Sequence, residues 1–154
     1  MRKNDLKKVS YFITGTDTGV GKTVATLALA VLLRERGLRV GVFKPFQSGV
    51  GDAEFLKKHL DLKDGLREIN PYCAKEPLSP HLAFARQGVK VDVHRIKVAF
   101  LALQEKYDVV LIEGAGGLLV PITEKYLMAD LARELGGELI IVARLGLGTI
   151  NHSL

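Results

Sequence analysis

Four short runs in this chain are apolar almost throughout rather than at alternate positions: "VSYFI" from Val9, "VGVF" from Val40, "VVLI" from Val109 and "LIIV" from Leu139. A strand with one wet face alternates apolar and polar residues, whereas a strand covered on both faces does not, so these runs belong inside a sheet packed on both sides. The stretches between them have helical length and spacing. "TVATLALAVLLRERG" closes with Arg34, Arg36 and Gly37, and "VDVHRIKVAFLALQEKY" repeats Val93, Ile96, Phe100 and Leu103 on one face behind Asp92, a side chain suited to cap it. "YLMADLARELGG" has a glycine stop, and "DAEFLKKHL" reads as a short helix with Asp52 at its cap and Ala53, Leu56 and Leu60 on one face. "EPLSPHLAFARQG" is a proline-rich loop whose second half reads as one or two helical turns ending at Gly88. Strands that alternate with helices need crossover connections and therefore run parallel. The expected fold is a three-layer α/β/α arrangement around a mostly parallel sheet.

At 154 residues, with 47% hydrophobic and 25% charged residues, the chain is expected to be one globular domain spanning residues 1–154. Its net charge of +5 would suggest nucleic acid, but Arg2, Lys3, Lys7 and Lys8 stand against Asp5, so four positive charges less one negative supply +3 of it. A basic, flexible leader over residues 1–8 accounts for this, and no aromatic-interleaved basic patch follows. No nucleic-acid partner is expected. Cys73 is the only cysteine, so an intrachain disulfide is excluded and a cytoplasmic location is expected. The longest apolar segment, around residues 24–33, is too short to cross a bilayer, and no membrane role is expected. His59, His81, His94 and His152 show no metal-ligand spacing, and no G-x-S-x-G elbow offers a serine nucleophile.

The chemistry concentrates where the first strand meets the first helix, at "GTDTGVGKT", residues 15–23. A chain that turns closely around phosphate oxygens must present main-chain N–H groups without side chains in the way, and Gly15, Gly19 and Gly21 remove them. Lys22 is then placed for the β and γ phosphates and Thr23 for Mg²⁺, with the positive end of the helix dipole facing the ligand. The pattern departs from G-x-x-x-x-G-K-S/T, since Thr16 holds its first position and the glycine stands one place earlier. With this loop the expected fold becomes P-loop NTPase-like.

Other polar residues fall at the ends of the apolar runs. Glu113 opens "EGAGG" after "VVLI", at the edge where open α/β sheets bind ligands, and is either a second Mg²⁺ anchor or a solvated acid. Lys44 ends "VGVFKP" at the same edge and is either an exposed lysine or a cation facing a transferring phosphoryl group. Asp52 is either a helix cap or a ligand, and Ser48 either serves the "QSG" turn or faces a substrate.

Taken together, "GTDTGVGKT", "FKPFQSG", the aspartate soon after it, "NPY", "EPLSPH", "EGAGGLLVPI" and "LGLGTINHSL" resemble the dethiobiotin synthetase family, in this order and from residue 11 to the last. The resemblance implies an ATP- and Mg²⁺-dependent ligase of biotin synthesis. Such an enzyme turns 7,8-diaminononanoate and CO₂ into dethiobiotin through a carbamate and a carbamic-phosphoric anhydride, and works as a homodimer with its site at the subunit interface. It implies that Lys22 and Lys44 act in catalysis, that Gly19, Val20, Gly21, Lys22, Thr23, Val24, Asp52, Glu113, Gly114, Ala115 and Gly116 bind ATP, and that Thr23, Asp52 and Glu113 hold the metal. Thr18 and Ser48 match substrate contacts. Thr149, Ile150 and Asn151 match a helix start whose N–H groups hold the substrate carboxylate from the opposite subunit, the alternative being Asn151 as a plain N-cap. Relatives often carry glutamate where Gly19 stands, and the family continues beyond residue 154 into the part that recognises adenine, so the chain is expected to end early relative to the family. A nucleotide-dependent switch of the MinD or ParA kind is a second reading, although its usual early loop lysine is replaced by the "TDT" of residues 16–18; an inactive fragment of the synthetase is a third.

Overall fold

The computed structural model describes residues 8–49 and 51–154. The expected basic leader lies outside them except for Lys8, whose Nζ is 2.9 Å from Glu105 Oε2. The chain builds β1 (Val9–Gly15), α1 (Lys22–Glu35), β2 (Val40–Phe43), β3 (Phe46–Ser48), α2 (Asp52–His59), α3 (Leu66–Ile69), β4 (Tyr72–Ala74) and α4 (Pro80–Arg86). It continues with α5 (Val93–Lys106), β5 (Val109–Glu113), β6 (Pro121–Thr123), β7 (Tyr126–Leu127), α6 (Met128–Leu135), β8 (Glu138–Val142) and α7 (Thr149–Ser153).

The central sheet has the order β2-β5-β1-β8, and every pairing in it is parallel. Consecutive residues of β1 serve opposite faces, as the pleat requires. Phe12 joins Phe43, Phe100, Leu103 and Leu131 under α5 and α6, whereas Ile13 joins Ala30, Leu33, Val42 and Leu56 under α1 and α2. Burying each such large side chain stabilises the fold by roughly 1.5–3 kcal/mol, which is why a run apolar on both faces selects a covered strand. The three layers expected from the sequence are therefore present.

Local signals explain the helix ends. Asp92 caps α5, its Oδ1 accepting from His94 N at 2.9 Å and from Arg95 N at 3.4 Å. Pro80 opens α4, where a missing N–H costs nothing. α2 departs from expectation: Gly51, at φ 109°, occupies its cap, and Asp52 is the first helical residue without capping it. A left-handed glycine already turns the chain into the helix, so the Asp52 carboxylate is free to point elsewhere.

β8 departs as well. Its apolar run implied cover on both faces, yet Leu139 is 45% and Ile141 55% exposed, while Ile140 and Val142 pack against the α1 side of the core. An apolar run identifies a strand but not its neighbours, and among the described residues β8 pairs with β1 alone. The parallel pair β3–β4 and the β6–β7 hairpin have two or three residues per strand, too few to show a period. Among the described residues no helix is long and apolar enough to cross a membrane.

For function, the register matters most. Ile13 stands opposite Glu113, and Phe43 opposite Ile112, so the loop after β1, the end of β5 and the residue after β2 open onto one rim at one level.

Candidate functional site

The loop from Gly15 to Thr23 closes tightly on itself. A Cβ on Gly15 would lie 2.7 Å from Val20 Cγ2, 2.9 Å from the Asp17 carbonyl oxygen and 3.0 Å from Lys22 Nζ, so only glycine permits this closure. Gly21, at φ 101°, caps α1 without a side-chain hydrogen bond, and the first turn carries no acid, which leaves helix-start N–H groups for an anion. Lys22 arches back over the loop, its Nζ donating to the Asp17 carbonyl at 3.0 Å. Burial, and then repulsion from Lys44, hold its pKa below the ordinary lysine value. An ammonium so placed gains most from a neighbouring polyanion.

Beside the loop, the ends of β2 and β5 meet the start of α2. Lys44 Nζ donates to Glu113 Oε1 at 2.6 Å and lies 2.9 Å from Asp52 Oδ2, while the Thr23 hydroxyl donates to the same Glu113 oxygen at 2.9 Å. The Lys44 side chain is 3% exposed and that of Glu113 fully buried, whereas Asp52 is 47% exposed. Burial alone would pull the Lys44 pKa down, but attraction from Glu113 and then Asp52 outweighs it and leaves the pKa raised. Asp52 is thus a partner of Lys44 rather than a cap. Glu113 Oε2 is buried without a hydrogen-bond partner. Thr23, Asp52 and Glu113 thus gather hard oxygens around one ammonium, with Glu113 Oε2 left over, and oxygens of this kind are the donors that suit Mg²⁺.

Lys22, Lys44 and Asp52 border a cavity of about 470 Å³ that Thr18, Ser48, Ala115 and Gly116 also line. Ser48 Oγ is buried and unpartnered, so it does not serve the turn as its alternative reading held. Gly114 is a tie between strands: its N–H donates to Ile13 O at 2.9 Å, and a Cβ there would meet Phe12 at 3.1 Å. Val24 is largely exposed on α1. Thr149, Ile150 and Asn151 are not brought into the cavity. They form α7, which Gly148 and not Asn151 caps, since glycine takes the φ of 93° at no steric cost. Thr149 lines a separate hollow of about 100 Å³ with Asp17 and Arg144.

Two buried amides carry the site without having been singled out from the sequence. Gln47 Oε1 accepts from Ala53 N at 2.8 Å, and its Nε2 donates to Glu54 Oε2 at 3.0 Å, fixing the start of α2 and so Asp52. Asn70 Nδ2 donates to the Lys44 carbonyl at 2.6 Å and to the Tyr72 carbonyl at 3.2 Å. Both stand in motifs quoted above, "FKPFQSG" and "NPY", Gln47 two residues after Pro45 and Asn70 directly before Pro71, and an amide near a proline was the available signal.

A parallel sheet whose first strand runs through a glycine turn and a lysine into a helix, with an acid at the end of the adjacent strand, defines an α/β P-loop NTPase. The signal recognition particle receptor FtsY from Elizabethkingia anophelis shares this fold at a TM-score of 0.58 and 18% identity, over 96% of this chain and 46% of that one. The kinase domain of Escherichia coli tyrosine kinase ETK does so at 0.58 and 19%, over 95% of this chain and 59% of that one. A protein-family profile described as an AAA domain matches residues 9–154. The ATP-dependent dethiobiotin synthetase BioD of Methanococcus vannielii is 42% identical over 144 residues, 93% of this chain and 68% of that protein. Its namesake from Bacillus cereus is 46% identical over 150 residues, 94% of this chain and 62% of that protein. The chain belongs to the dethiobiotin synthetase family.

Proposed function

We propose that this protein is an ATP-dependent ligase that closes the ureido ring of dethiobiotin from 7,8-diaminononanoate and CO₂, releasing ADP and phosphate. The observation that carries the reading is the convergence of Lys22, Thr23, Lys44, Asp52 and Glu113 on one rim, beside a cavity of about 470 Å³ that reaches Thr18 and Ser48. The name of the family supplies the product.

One substrate amine adds to CO₂ and loses a proton, giving a carbamate. A carbamate oxygen attacks the γ-phosphorus while the bond to the ADP oxygen breaks, and the second amine then attacks the carbamoyl carbon and expels phosphate. Phosphoryl transfer of this kind needs alignment and charge neutralisation more than a covalent partner. The loop amides and Lys22 hold the phosphate tail, and Lys44 stands where negative charge grows on the transferring group. Thr23, Asp52 and Glu113 would hold Mg²⁺, which supplies charge neutralisation at the phosphates when bound. Thr18 and Ser48 orient the diamine, and the unpartnered Ser48 hydroxyl is available to do so. Thr149, Ile150 and Asn151 of a second copy hold the substrate carboxylate in a homodimer that works in the cytoplasm.

A coupled assay of ADP release tests the reading. Release must accelerate when 7,8-diaminononanoate is added to enzyme, ATP, Mg²⁺ and bicarbonate; no acceleration refutes it. Lys44→Ala should lower kcat by about 10²–10³, the usual loss for one oxyanion-type donor, while ATP affinity changes by less than about tenfold.

A further inference from the structure

We propose that Asn70 is a positioning residue for Lys44, holding the backbone from which the lysine reaches its site. The inference rests on the ligase reading for its kinetic arm alone. Lys44 is followed by Pro45, which has no N–H and locks φ, so the strand ladder cannot continue past this point. The peptide groups of Lys44 therefore need partners from outside the central sheet. Consecutive residues at the end of α3 provide them: Lys44 N donates to Ile69 O at 2.8 Å, and the Lys44 carbonyl accepts from Asn70 Nδ2 at 2.6 Å.

Asn70 is itself fixed from the other side. Its Nδ2 also donates to Tyr72 O at 3.2 Å, so both acceptors are carbonyls and only one orientation of the amide satisfies them. Tyr72 is packed and tethered, with its ring 5.5 Å from those of Phe46 and Phe84 and its hydroxyl accepting from Asp92 N at 2.8 Å. Pro71 keeps Asn70 out of the helical region, at φ −131° and ψ 86°. Asn70 is 5% exposed, so water does not replace a lost bond. The chain of contacts runs from an aromatic cluster through one amide to the carbonyl of Lys44, whose Nζ meets Glu113 at 2.6 Å. A shift of the Lys44 backbone is passed to that ammonium.

The test is a double-mutant cycle with an independent spectroscopic arm. Asn70→Ala should lower kcat by about 10–100-fold with the ATP KM within about threefold, because misplacement by about an ångström has that effect on rate. In a Lys44→Ala background the same change should alter kcat by less than about twofold, since the group it positions is gone. The ¹⁵Nζ resonance of Lys44, assigned by its loss in Lys44→Ala, should shift or broaden in Asn70→Ala. Should Asn70→Ala fail to fold, Asn70→Ser, which keeps a short donor, takes its place in the cycle with an intermediate rate expected. Equal slowing in both backgrounds, or an unmoved Lys44 resonance, overturns the proposal. If the unsubstituted protein shows no diamine-stimulated ADP release, the ligase reading fails and the resonance arm still decides the link between Asn70 and Lys44.

Discussion

Replacing Lys44 by methionine removes one charge from a pair in which neither partner meets water. Lys44 Nζ and Glu113 Oε1 are 2.6 Å apart. In an effective dielectric of about 20 that separation gives an attraction of about 6 kcal/mol, against a desolvation cost of several kcal/mol for each ion. The pair as a whole is therefore close to break-even, but Glu113 left alone in its buried position costs about 3–5 kcal/mol. Lys44→Met should lose that much stability in urea unfolding at neutral pH, out of the ~5–15 kcal/mol typical of a domain. Lys44→Met/Glu113→Gln should regain most of it, within about 2 kcal/mol of the unsubstituted protein. Asp52 contacts the same ammonium at 2.9 Å but is 47% exposed, and Asp52→Asn should cost no more than about 1 kcal/mol. Losses for Lys44→Met and Glu113→Gln that simply add in the double variant, or an Asp52→Asn as damaging as Lys44→Met, would refute the reasoning. The four variants and the unsubstituted protein are compared without nucleotide or divalent ion, which would stabilise the folded state by mass action.

Two further outcomes follow from groups whose pKa values are displaced. Lys22 titrates below the ordinary lysine value because of burial and then Lys44, so ATP, by adding negative charge beside it, should bind with proton uptake at alkaline pH and lose affinity as pH rises through the Lys22 pKa. Calorimetry in buffers of different ionisation enthalpy reads the uptake, and Lys22→Arg, which does not titrate, should abolish it; equal uptake in both proteins contradicts the assignment. Away from the rim, Asp64 accepts from Lys106 Nζ at 2.8 Å and from the Tyr107 hydroxyl. Although burial alone would raise it, these bonds hold its pKa below the ordinary aspartate value. A depressed carboxylate pKa contributes stability above the unfolded value that is lost as pH falls through the folded one. Asp64→Asn should thus lower stability by about 1.5–3 kcal/mol at neutral pH, and the difference should shrink as acid takes the pH below the carboxylate range. A constant difference across that range would be the contrary result.

How far the site could be read from the chain depends on the kind of contact each residue makes. Lys22 and Thr23 are readable because adjacency to the glycine turn fixes them, and Lys44 and Glu113 because each ends an apolar run in a parallel sheet whose strand ends share one rim. Asp52 is ambiguous in sequence, since an aspartate at a helix start caps it or points away with equal ease. The decision belongs to Gly51, whose left-handed φ of 109° makes the cap unnecessary and frees the carboxylate for Lys44. β8 reads as a strand, but its partners depend on the fold and not on composition, and among the described residues it has β1 alone. Asn70 and Gln47 are hidden for a further reason. Asn70 acts across 26 residues on a carbonyl, and Gln47 across six on an amide N–H, and every residue offers such backbone groups. Reactive side chains announce themselves by type and spacing. The groups that aim them bind the common backbone, so the fold must be known before they can be told from any other buried amide.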